Sequence, residues 1–121
     1  MTDTAKALYS FFSGFGIPAY VRRNIPMDAE MPYITYDLVE PEPLQRNTMN
    51  AWVWYRGGSF VDICDKCDQI KDAIGTGISL PTDNGCLYLF RSDTVPFIQM
   101  QDDPNPDVKC AFLSMLIHAN T

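Results

Sequence analysis

The chain has 121 residues, with nine Lys and Arg against fifteen Asp and Glu for a net charge of −6 at pH 7. This length favours a single domain over residues 1–121, and 46% hydrophobic residues can fill its core, which excludes intrinsic disorder. The acidic balance argues against a freestanding nucleic-acid binder, no apolar run reaches the roughly 20 residues of a membrane helix, and the start MTDTAK lacks the build of a signal peptide. A soluble protein made in the cytosol, or one assembled there into something larger, is expected.

Nine prolines punctuate the chain, and short elements fit between them. The first predicted element is a helix over Thr4–Ser13, capped by Asp3 or Thr4 and stopped at Gly14 and Gly16, with Ala5, Leu8, Phe12 and Phe15 at helical spacing. Ala19–Arg22 is a short strand candidate. Tyr33–Val39 is a stronger one, because Tyr33, Thr35, Asp37 and Val39 alternate with Ile34, Tyr36 and Leu38. Glu40-Pro41-Glu42-Pro43 breaks that ladder, and a polar stretch follows through Gln45–Asn50. Ala51–Arg56 (AWVWYR) has the aromatic and β-branched make-up of a strand, so the two strands predict a hairpin with a projecting arm.

Gly57-Gly58 ends that strand, and Ser59 caps the clearest predicted helix. In it Phe60, Ile63, Cys67, Ile70 and Ile74 form one apolar stripe, with Asp62, Asp65, Lys66, Gln69 and Asp72 on the other side. Gly75 and Gly77 close it. A loop with turn chemistry at Asp83-Asn84-Gly85 leads into a strand at Cys86–Phe90, and another follows at Phe97–Gln101. Asp102–Asp107 is an acidic turn. Val108–His118 is apolar on both faces, so periodicity alone does not decide its type; pairing with Phe97–Gln101 across the Pro-Asn-Pro turn favours a strand. The order predicts an α+β fold, a mostly antiparallel sheet with two helices on one face.

Cysteine offers the sharpest candidate chemistry. Cys64-Asp65-Lys66-Cys67 has redox spacing, but it falls beyond the first turn of its helix and among Asp62, Asp65 and Asp68, which oppose a thiolate. The competing reading has both cysteines packing as small hydrophobes. Zinc would need Cys86 and Cys110 as further ligands, and these are lone residues within predicted strands. Disulfides are not expected in this compartment. His118 is expected near the end of the chain, in solvent, and the Asp102 and Asp103 pair in a solvated turn. No motif supports a nucleophilic triad or a phosphate-cradling loop, so no catalytic residue, metal or cofactor is expected. Arg22, Arg23, Arg46 and Arg56 are either solvated or contacts for an acidic partner. Trp52 and Trp54 alternate about Val53 and point to one sheet face, and with Tyr55 they exceed what one helix layer covers, which hints at a partner surface.

The layout resembles the tail terminator (tail-completion, head–tail joining) proteins of long-tailed bacteriophages and prophages. The residues that carry the likeness are the helix around Ala7-Leu8-Tyr9-Ser10-Phe11-Phe12, the strand Met31-Pro32-Tyr33-Ile34-Thr35-Tyr36, and Trp54-Tyr55-Arg56 leading through Gly57-Gly58-Ser59 into the helix Phe60–Ile74. Strand-rich, acidic C-terminal elements complete it. The C-x-x-C is not a feature of that family and takes no role from it. The resemblance implies a structural protein of the virion tail, assembled in the host cytoplasm, and not an enzyme. It implies a ring, typically of six copies, that caps the head-proximal end of the tail tube, stops tube growth and meets the head connector. DNA passes through such a ring without specific binding. Subunit or tube contacts are expected on the Glu40–Asn50 arm and the strand edge Ala51–Arg56, through Arg46, Asn47, Thr48, Asn50, Trp52, Trp54 and Arg56. The alternatives are another head–tail connector or tube-like subunit and, from the C-x-x-C, a small thiol redox protein.

Overall fold

Leu8 and Phe12, one turn apart on the first predicted helix, are both fully buried, and Phe12 stacks on Tyr36 with ring centroids 4.7 Å apart. That contact pins helix α1 (Asp3–Phe12) to the sheet in the computed structural model of the chain, which describes residues 3–41, 46–57, 59–83, 85–92 and 95–120. Asp3 and Thr4 are themselves helical, so neither is the cap expected of it. A 3-10 turn at Ser13–Phe15 follows, and Gly16 ends it at φ 84°, a left-handed conformation that glycine adopts without a Cβ clash.

The strands are β1 (Ala19–Val21), β2 (Tyr33–Tyr36), β3 (Arg46–Arg56), β4 (Ile78–Thr82), β5 (Gly85–Arg91), β6 (Ile98–Gln101) and β7 (Val108–Asn120), with α2 (Val61–Ile74) between β3 and β4. Their order across the sheet is β1-β2-β3-β7-β5-β4, with β6 also paired to β7. Every pairing is antiparallel except β1 with β2. The α+β prediction holds. Val108–His118 is the strand expected of it, extended to Asn120, and it runs through the centre of the sheet.

β5 and β6 lie end to end along one side of β7: Arg91 is opposite Met115 and Ile98 opposite Leu113. Ser114, between them, keeps both backbone groups paired. Its carbonyl accepts from the Ser92 N–H at 3.2 Å, and its own N–H donates to the Phe97 carbonyl at 3.0 Å.

The structure departs from the sequence reading at three further places. The polar stretch is not a projecting arm: Arg46–Asn50 belongs to β3 and pairs residue by residue with His118–Ser114 of β7. Of the expected arm, residues 42–45 lie outside the described ones. The strand β4 was not expected; it tolerates Pro81 because it is an edge strand and needs no donor on its open side. Phe60, assigned to the apolar stripe, precedes α2 and is 52% exposed, with the Lys109 ammonium 5.1 Å from its ring. The rest of the stripe, Ile63, Cys67, Ile70 and Ile74, is buried. Ser59 acts at the helix start as expected, its hydroxyl accepting from the Val61 N–H at 3.2 Å.

Alternation then assigns the strand residues to the two faces of the sheet. Ala19, Ile34, Tyr36, Met49, Ala51, Val53, Leu87, Leu89 and the odd-numbered residues 111–119 of β7 join Ala7, Leu8 and Phe12 of α1 and Ile63, Cys67, Ile70 and Ile74 of α2 in one core cluster. Each fully buried Leu, Ile or Phe there is worth roughly 1.5–3 kcal/mol over its exposed state. Both helices thus sit on one face, and α1 touches both edge strands, β1 and β4, so the sheet curls around the helical layer.

Candidate functional site

The opposite face of the sheet has no helix on it among the described residues, and none of its side chains belongs to the core cluster. Strand parity puts Arg46, Thr48, Asn50, Trp52, Trp54 and Arg56 of β3 on this face, six of the seven expected contact residues. Asn47, the seventh, points to the helix side. Both tryptophans share a face as predicted, and it is the uncovered one.

Cross-strand pairing builds an aromatic surface around them. Trp54 is opposite Tyr33 and Trp52 opposite Thr35 in β2, while Trp52 is opposite Phe112 in β7. The Trp52 and Phe112 rings are 5.4 Å apart, and Tyr20 meets Tyr33 edge-on at 5.7 Å. The Arg22 guanidinium lies 4.2 Å from the Trp52 ring centroid, and Trp52 is 8% exposed with no helix above it. The Trp54 indole N–H donates to the Thr35 hydroxyl at 3.0 Å. A second aromatic group lies across β7: Tyr88 beside Phe90 and against His118, with the Arg46 guanidinium 5.7 Å from the Phe90 ring. His118 is therefore half-buried within β7, not the solvated terminal residue expected of it.

Between the two aromatic groups lie Asn50 and Ser114, directly opposite each other. The Asn50 Oδ1 is buried without a hydrogen-bond donor, as is that of Asn47 on the other face. An acceptor left in this state costs about 1–3 kcal/mol.

The thiols do not converge. Cys64 is exposed and Cys67 fully buried in the core. Burial pushes the Cys67 thiol up to about 12, with Cys64, Asp68 and Cys110 acting the same way, so it carries almost no thiolate at neutral pH. Burial, and then Asp103, lifts Cys110 to about 12 as well. Cys86 is opposite Asn120 while Cys110 lies ten residues back along β7, a separation of roughly 34 Å. One zinc ion cannot take both. Among the described residues, no group of three or more His, Cys, Asp or Glu is placed to hold a metal. Four surface pockets of 530, 330, 450 and 380 Å³ are lined by neither Cys nor His.

No protein-family model matches the sequence, and no curated protein matches it.

Proposed function

We propose that this chain is a structural subunit of the tail-terminator kind: a ring-forming protein that caps the head-proximal end of a phage or prophage tail tube and presents a surface to the head connector. The observation that carries the reading is the aromatic face of the sheet that bears no helix, with Trp54, Tyr33, Phe112 and Tyr88 half-exposed on it, Trp52 packed beneath Arg22, and arginines at its margins. Aromatic residues and Arg are the types enriched where proteins meet proteins. The α+β architecture and the two edge strands, β1 and β4, suit a subunit that joins copies of itself. The acidic turn Asp102–Asp107 faces solvent or the ring lumen, where carboxylates repel passing DNA instead of holding it.

Electron microscopy of tail-tube subunits polymerising with and without the purified chain tests this. A terminator leaves short tubes carrying a ring at one end only. Tubes of unchanged length and bare ends reject the reading, and growth of the chain into tubes of its own favours the alternative of a tube-like subunit.

A further inference from the structure

None of the seven strands contains Asp or Glu, so every described carboxylate lies on a helix, turn or loop of a chain whose net charge is −6. On the uncovered face, Arg56 ends β3 and Arg22 lies over Trp52, four residues back along the same strand; this spacing is about 14 Å. Arg22 pairs with Asp37 at 3.8 Å in a half-exposed pair, and Arg56 shares the lining of a surface pocket with Glu30. Such an exposed pair holds Arg22 only weakly.

Helix α2 is the complement. Asp62, Asp65, Asp68 and Asp72 are all exposed, and at 100° per residue they fall within an arc of about 120° opposite the buried stripe. Their row is about 15 Å long. The two lysines of α2 do not neutralise it. Lys66 is half-buried and donates to the Phe15 carbonyl and to Gln69, and Lys71 is half-buried in the pocket beside Arg91.

We propose that the uncovered sheet face docks the acidic side of α2 from a second copy of this chain, with the Arg22–Arg56 pair set against the row Asp62–Asp72. The fit rests on opposite charge at matching spacing, with the half-exposed Trp54 between the arginines and Trp52 packed beneath Arg22 as its support. The two surfaces lie on opposite sides of the molecule, so one partner cannot return both contacts, and the contact is head-to-tail and builds a ring or a filament. It supplies the subunit interface of the ring proposed above, and so rests on that reading for its setting.

Charge exchange tests it on the purified full chain, by sedimentation velocity at about 10 mM salt, where screening reaches only beyond roughly 30 Å. Wild type associates, and about 0.5 M salt weakens it. Arg22→Glu/Arg56→Glu alone and Asp65→Lys/Asp68→Lys alone each lose at least about tenfold in association constant. An equimolar mixture of the two recovers wild-type association, because each reversed face then meets a complement. The near-isosteric neutral pair Arg56→Gln and Asp65→Asn gives the same direction of loss with the fold undisturbed. A wild type that stays monomeric, neutral variants that associate as wild type does, or a mixture that fails to recover, overturns the proposal. Association as an open ladder of masses upholds the contact and rejects the ring, and rings persisting in all variants reject the contact and leave the ring standing.

Discussion

The Trp54 indole N–H donates to the Thr35 hydroxyl at 3.0 Å, tying β3 to β2 on the face that no helix covers. Thr35 is 1% exposed, a polar side chain made tolerable on this surface by that bond. Thr35→Val keeps the shape and removes the acceptor, and it is expected to cost about 1 kcal/mol. A double-mutant cycle with Trp54→Phe, read by urea denaturation, should return a coupling of the same sign and about the same size. Additive losses would mean the bond contributes nothing.

Gly77 stands at φ 153°, and a Cβ there would come within 2.8 Å of the Phe90 ring. Gly77→Ala therefore forces Phe90 to shift on the uncovered face and is expected to destabilise by about 1–3 kcal/mol. Gly14, whose Cβ position is open and whose φ is ordinary, is the control: Gly14→Ala should lie within about 0.5 kcal/mol of wild type. Thermal unfolding of both variants provides the comparison.

Cys67 and Cys110 titrate near 12 in the folded chain against about 8.5 when unfolded. Both are acids whose folded value is raised. The stability linked to them is whole below about pH 8.5 and is lost as pH climbs toward 12, because the unfolded chain releases those protons first. Burial also raises Tyr36 and Tyr55, which deepens the loss at the alkaline end. The urea midpoint should fall from pH 8 to pH 10.5, and by less in a Cys67→Ala/Cys110→Ala variant. Under native conditions, iodoacetamide should label the exposed Cys64 well before Cys67.

Much of this surface was legible before folding. The Tyr33–Tyr36 alternation and the Trp-Val-Trp pattern fix which side chains share a face, because strand period is set by backbone geometry. What composition hides is pairing. Arg46–Asn50 reads as loop from its polar residues, yet it is strand because β7 extends beyond Ser114 and pairs with it in full. The Ile78–Thr82 strand is masked by Pro81, which only an edge position permits. Phe60 matches the helical period but lies one residue outside the helix, where period has no force. The segregation of charge needed both levels: the strands lack carboxylates in the sequence itself, and only the register shows that Arg56, Trp54 and Trp52 share one open face.

Native mass spectrometry of the purified chain reads the central claim directly. A tail-terminator ring predicts one closed assembly of a single stoichiometry, six copies of the 13.7 kDa chain, in equilibrium with monomer and without larger species. A chain that is monomeric at every concentration and salt, or that runs on through an unbroken series of masses, would contradict it.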